Sequence, residues 1–190
     1  MIVEKELFMT KLNETRKIFI YLPDDYETSN KQYPVLYAFD GHNIFLDAHA
    51  TYGKAIHIQQ HIEKLGIDMI VVGQECSHVG NNRLKEYAPY SFYDPEYGSF
   101  EGQGEETMDF FVHELKPYID DHYRTKKTRK NTFIGGSSCG GLMALYAAYA
   151  YSNVYSKAIV ISPYVLESMD AILKDIHQSH IQKNTSIYLS

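Results

Sequence analysis

The sequence predicts an α/β fold on a mainly parallel sheet. Three short, almost continuous apolar runs, Tyr33 to Phe39, Ile67 to Gly73 and Asn131 to Gly135, have the pattern of strands buried on both faces. Segments of helical period lie between them, and two more alternating segments open the chain as an apparent hairpin. Strands that alternate with helices favour parallel pairing through crossovers.

Taken in order, Val3 to Leu12 and Arg16 to Leu22 read as strands joined by a turn around Asn13. In the second, Ile18, Ile20 and Leu22 alternate with Lys17, Phe19 and Tyr21, which predicts a half-buried antiparallel strand. Tyr33 to Phe39 is the first buried strand and ends in Asp40-Gly41. A helix is expected from Lys54 to Leu65, stopped by Gly66, followed by the strand Ile67 to Gly73. Cys76 to Gly104 is polar and rich in Tyr and Gly, and reads as a long functional loop. Met108, Phe111, Val112, Leu115 and Ile119 place a helix over Glu105 to Tyr123. After the strand Asn131 to Gly135 come a small-residue helix (Leu142 to Tyr151), a fourth buried strand (Ser156 to Ile161), a helix (Leu166 to His177) and a strand (Ser186 to Leu189).

The chain has 190 residues, a length that suits one domain. Hydrophobic residues make up 44% and charged residues 22%, which excludes disorder and collagen-like repeats. Net charge is −6, and the sole basic run, Lys126 to Lys130, reads as a solvated loop, so no nucleic-acid partner is expected. Cys76 and Cys139 make neither a disulfide framework nor a zinc motif. No apolar run approaches a membrane span of about 18 residues, and the mixed-charge start Met1 to Glu6 does not read as a signal peptide. A cytoplasmic protein with no membrane partner is the expectation.

The sharpest chemical signal is Gly136-Ser137-Ser138-Cys139-Gly140, a G-x-S-x-G pattern with Ser138 central. A predicted strand precedes it and a helix follows, as a strained turn presenting a nucleophile requires. Glycines at 136 and 140 let neighbouring backbones pass. The competing reading is a Gly-rich turn with a helix-capping serine. Ser137 sits off the motif, and Cys139 occupies the position that offers its backbone N–H. The second signal is Asp40 to Phe45, directly after the first buried strand, where hydrolases of this topology take a second oxyanion donor. Backbone N–H groups of His42 and Cys139 are the expected donors. Asn43, Arg83 and Tyr87 are the candidates to line the substrate cleft; for Arg83 and Glu86-Tyr87, pinning the loop by a salt bridge is the equal alternative. His57 and His61 stand four apart, but Ile58 occupies the place where H-E-x-x-H needs its glutamate, so no metal is expected there, and no cofactor either.

Several stretches together resemble the esterase D-like branch of the α/β-hydrolases, which includes siderophore esterases, feruloyl esterases, S-formylglutathione hydrolases and mycolyltransferases. They are Tyr33 to Tyr37 leading into Asp40-Gly41, Arg83 to Pro89, Leu115 to Asp120, and Gly136 to Leu142. The resemblance implies an α/β-hydrolase fold, Ser138 as nucleophile, and His42 and Cys139 as oxyanion donors. Relatives often carry Met where Cys139 stands, and often a Trp around Tyr52 to Ile58, where this sequence has none.

In this fold the triad order is Ser, then acid, then His, on loops after later strands. Only the strand Ser156 to Ile161 is complete after Ser138, so the chain reads as a single domain, residues 1–190, truncated before the acid and His. Glu167, Asp170, Asp175, His177 and His180 are the substitutes at hand, on or beside a flanking helix that does not deliver side chains to strand ends. The expected function is therefore a serine hydrolase cleaving a carboxylic ester or thioester of a small molecule. The alternative is a truncated or degenerate hydrolase that acts at most as a binding module. Without a base, turnover of p-nitrophenyl acetate by the 190-residue chain is expected to be residual, roughly 10³–10⁴ over water. Full-strength turnover would place a base within it. An open edge at Ser186 to Leu189 leads to an expected homo-oligomer. The competing expectation is a monomer with Ile172, Ile176, Ile181 and Ile187 folded over the gap.

Overall fold

The computed structural model describes residues 1–165 and 168–190. Among the described residues the strands are β1 (Ile2–Met9), β2 (Glu14–Tyr21), β3 (Val35–Phe39), β4 (Ile70–Gln74), β5 (Phe92–Asp94), β6 (Gly98–Phe100), β7 (Thr132–Ser137), β8 (Lys157–Ile161) and β9 (Ser186–Leu189). Seven form one sheet in the order β1-β2-β4-β3-β7-β8-β9, and β5 and β6 pair as a separate hairpin. β1/β2 and β2/β4 are antiparallel, whereas β4, β3, β7, β8 and β9 are mutually parallel. This is the mixed, mostly parallel sheet of an α/β-hydrolase. Every residue of β3 and β4 is buried, as their unbroken apolar runs require.

Helices α1 (Ile58–Lys64), α2 (Asn82–Glu86), α3 (Gly104–Asp109), α4 (Lys116–His122), α5 (Cys139–Ala150) and α6 (Met169–Gln178) cover the sheet and its loops. A π-helical stretch, Phe110–Leu115, joins α3 to α4 into one rod. Pro117 lies just beyond it and has no N–H for the carbonyl four residues back, so a widened turn at this point relieves the helix. Phe110, Phe111, Leu115 and Ile119 of this rod are buried against the sheet. Leu142, Met143, Ala144, Ala147 and Ala148 of α5 are buried too, and the three alanines let the helix lie close to β7 and β8.

Some expectations are corrected. β2 buries Ile18, Phe19, Ile20 and Tyr21 alike, because both faces of the sheet are covered there, Ile18 and Ile20 packing into one core and Phe19 and Tyr21 into the other, so it is not half-buried. β8 is the reverse: it buries Ala158 and Val160 on one face and leaves Lys157, Ile159 and Ile161 exposed on the other, so it is not buried on both faces. Residues 54–57 are not helical: His57 adopts φ 55° as the residue before α1, which takes it off any shared helix face with His61, and its Nε2 meets Asp47 at 3.0 Å. The expected loop from Cys76 to Gly104 holds α2 and the β5–β6 hairpin. These elements of five and three residues are too short to show a period, and stacking of Phe92 on Phe100 (5.0 Å) holds the hairpin. The expected start of the last helix, Leu166 with Glu167, lies outside the described residues. α6 is tied down by Tyr90, whose hydroxyl donates to Asp175 Oδ2 at 2.5 Å. Ile172 is buried beneath it, while Ile181 and Ile187 are exposed.

Candidate active site

β7 ends at Ser137, and α5 begins at Cys139. Between them Ser138 has φ 57° and ψ −123°, a conformation that side-chain-bearing residues avoid at a cost of about 1–3 kcal/mol. Three backbone bonds hold it. Ser138 N–H donates to the Ile161 carbonyl at 3.0 Å, and the Ser138 carbonyl accepts from Leu142 and Tyr164 N–H, each at 3.0 Å. The turn is tight enough that a Cβ on Gly136 would stand 2.3 Å from the Gly140 carbonyl oxygen. Ser138 is exposed, and it lies on a cleft of about 660 Å³.

The other edge of the cleft is the turn after β3, a 3-10 helix over Gly41–Asn43. His42 and Asn43 line the cleft, as do Thr51, Cys76, His78 and Arg83, and Leu36, Ile44, Ile58, Ile159 and Ile161 supply an apolar wall. N–H groups in the first turn of a helix have no intrahelical acceptor. Cys139, the first residue of α5 and the one directly after Ser138, holds such an N–H. Burial pushes the His42 imidazole below its usual pKa, so the ring is neutral at pH 7. Burial raises the Cys139 thiol, which keeps it protonated and a poor nucleophile.

Beneath the turn runs a chain of buried polar groups. Asp40, itself left-handed at φ 56°, is gripped by Arg83 with Nε to Oδ1 at 2.8 Å and Nη2 to Oδ2 at 2.7 Å. Burial acts to lower the Arg83 pKa, but these bonds outweigh it and the net shift is upward. Asp40 N–H donates to the Tyr87 hydroxyl at 3.2 Å, which donates to Gln74 Oε1 at 2.6 Å. Gln74 Nε2 donates to Glu86 Oε1 at 3.4 Å, and Glu86 Oε2 accepts the Ser77 N–H at 2.7 Å. Arg16 closes the chain, with Nε 3.4 Å from Glu86 and its other end paired to Glu14.

Of the expected cleft residues, Asn43 and Arg83 are there and Tyr87 is not. Tyr87 is fully buried, because its ring packs edge-on against Phe39 (5.1 Å) and its hydroxyl supports Asp40 from below. Arg83 and Glu86 each anchor this segment by a salt bridge to a distant part of the chain, Arg83 to Asp40 and Glu86 to Arg16. Gln74, Ser77 and Arg16 escaped sequence reasoning, because nothing local to them marks the partner they meet in Glu86. Asp175 is engaged by Tyr90, and His177 turns back to the Leu173 carbonyl at 2.6 Å. His180 is exposed. None of these three, nor Asp170, lines the Ser138 cleft, and Glu167 lies outside the described residues.

A sharply strained serine between strand and helix, facing a turn from the neighbouring strand, is the architecture of the α/β-hydrolase class. The family model described as "Putative esterase" matches residues 9–188, and the chain belongs to that family. It is 31% identical over 186 residues to the protein YjcH of Bacillus subtilis (strain 168), covering 97% of this chain and 70% of that protein. It is 32% identical over 139 residues to the esterase Rv1288 of Mycobacterium tuberculosis (strain ATCC 25618 / H37Rv), covering 72% of this chain and 27% of that protein. The crystal structure of an IroE-like serine hydrolase from Shewanella oneidensis superposes with a TM-score of 0.80 at 22% identity, covering 100% of this chain and 60% of that one. The chain thus spans only part of the length of these relatives. Among the described residues, no helix is long and apolar enough to cross a membrane.

Proposed function

We propose that the protein is a serine hydrolase that cleaves a carboxylic ester or thioester of a small molecule through an acyl-enzyme on Ser138. The observation that carries this reading is the exposed Ser138 at φ 57°, ψ −123° on the cleft shared with the Gly41–Asn43 turn. Ser138 Oγ attacks the carbonyl carbon and its proton leaves to a base. Backbone N–H groups of His42 and Cys139 hold the oxyanion, the alcohol or thiol departs with a proton, and water then releases the acid. Family membership and the likeness to a serine hydrolase support the same chemistry. Asn43 and Arg83 face the substrate, and the apolar wall around Ile159 and Ile161 suits its acyl part. No metal or cofactor enters this scheme.

The test is labelling by a fluorophosphonate probe. Ser138→Ala is expected to abolish the label, whereas Ser137→Ala, which alters the neighbouring hydroxyl outside the motif, keeps it. Equal labelling of wild type and Ser138→Ala would overturn the assignment.

A further inference from the structure

The loops after β3 and β4, adjacent parallel strands, bring a second group of side chains to the cleft. One nitrogen of each imidazole of His42 and His78 and the Cys76 sulfur all lie within 4.8 Å of one another. The two rings meet edge to face, with centroids 4.7 Å apart. His42 and Cys76 are each only 2% exposed, while His78 stands on the open side. Each ring has its Nε2 engaged by an oxygen, His42 with Thr51 Oγ1 at 3.1 Å and His78 with Glu75 Oε1 at 3.2 Å. His42 Nδ1 is buried and has no hydrogen-bond partner among the described residues. Buried polar atoms are normally paired, so this nitrogen calls for a partner. Imidazoles that bind metals characteristically hold their other nitrogen to an oxygen, and both rings do so here. The ester chemistry proposed above makes no use of the Cys76 and His78 side chains.

We propose that His42, Cys76 and His78 form a three-ligand site for a thiophilic divalent cation, with Zn²⁺ the best fit and a fourth position open to the cleft. Two imidazoles and a thiolate are a donor set suited to that ion. Tetrahedral coordination places such ligands on the order of 3.5 Å apart. His78, whose side chain is 54% exposed, is the ligand with room to close that distance. On binding, the Cys76 S–H bond is replaced by a sulfur–metal bond and the proton leaves to solvent.

Co²⁺ is the probe, added to the reduced protein and followed by absorption. One equivalent is expected to give a near-ultraviolet thiolate-to-metal charge-transfer band together with visible bands of a tetrahedral ion, and Zn²⁺ is expected to displace both. Cys76→Ser removes the charge-transfer band. His78→Ala, at an exposed position that does not endanger folding, weakens Co²⁺ binding by more than about tenfold. The proposal is overturned by a wild-type protein that shows no charge-transfer band, by a band that survives Cys76→Ser, or by Co²⁺ affinity unchanged in His78→Ala. The readout does not depend on Ser138, so its failure is separate from failure of the esterase reading.

Discussion

Glu86→Ala is expected to lower the stability of the fold by about 3–5 kcal/mol, the range for removing one member of a buried ion pair. Glu86 is 2% exposed and is the meeting point of Arg16, Gln74 and the Ser77 N–H. Its loss leaves the Arg16 guanidinium facing a cavity and the Ser77 N–H without an acceptor. Domains of this size hold only about 5–15 kcal/mol in total, so a urea titration should show a large fall in midpoint. Glu86→Gln keeps the volume and one of the two acceptor oxygens, and is expected to lose less. Burial raises the Glu86 pKa above its ordinary 4.5 even though Arg16 opposes the shift. A carboxyl raised in the folded state contributes stability that is fully present below the unfolded value and is lost as pH rises through the folded one. Glutamine does not titrate, so the gap between wild type and Glu86→Gln should narrow from pH 4.5 upward. A midpoint for Glu86→Ala within error of wild type would show that Arg16 is adequately held by Glu14 alone.

What the sequence disclosed about this molecule follows the range of the interactions involved. β3, β4 and β7 were legible because burial on both faces leaves an unbroken apolar run, a purely local signature. The turn at Ser138 was legible because its glycines and the flanking elements are contiguous in the chain. Tyr87 was misplaced for the opposite reason. A tyrosine in a polar segment gives no local sign of whether it faces the cleft or the core. Its place is decided by Phe39 and Asp40, more than forty residues away. The same holds for Glu86, whose salt-bridge partner, Arg16 of the second strand, nothing in its own segment identifies. The place of His42 in the turn after β3 was legible, because the strand and the turn are contiguous in the chain. Its side chain was not, because Cys76 and His78 approach it only through the pairing of β3 with β4. The pair His57 and His61 fails in the other direction: the spacing was right, but the helix begins one residue too late to use it.

Gly41→Ala is expected to damage both stability and chemistry, because of how the turn after β3 is seated. A Cβ at position 41 would lie 2.3 Å from the Gly73 carbonyl carbon and 2.4 Å from its oxygen, and one at Gly73 would lie 2.6 Å from the Gly41 Cα. The two glycines therefore stack backbone on backbone, and no flexible side chain can move aside. Gly73 belongs to β4, hydrogen-bonded between β2 and β3, so the strand cannot yield without straining the centre of the sheet. The turn must move instead. Overpacking of this kind costs about 1–3 kcal/mol and occasionally more, and the rigid neighbour places this case at the upper end. The displaced segment begins one residue before His42. On the esterase reading its N–H then misses the oxyanion, at a cost on the order of 10²–10³ in rate. The expected result is a lower urea midpoint together with fluorophosphonate labelling of Ser138 slowed by about two orders of magnitude. If labelling kept its wild-type rate in a variant with the lowered midpoint, the oxyanion donor would have to come from elsewhere than the turn that Gly41 begins.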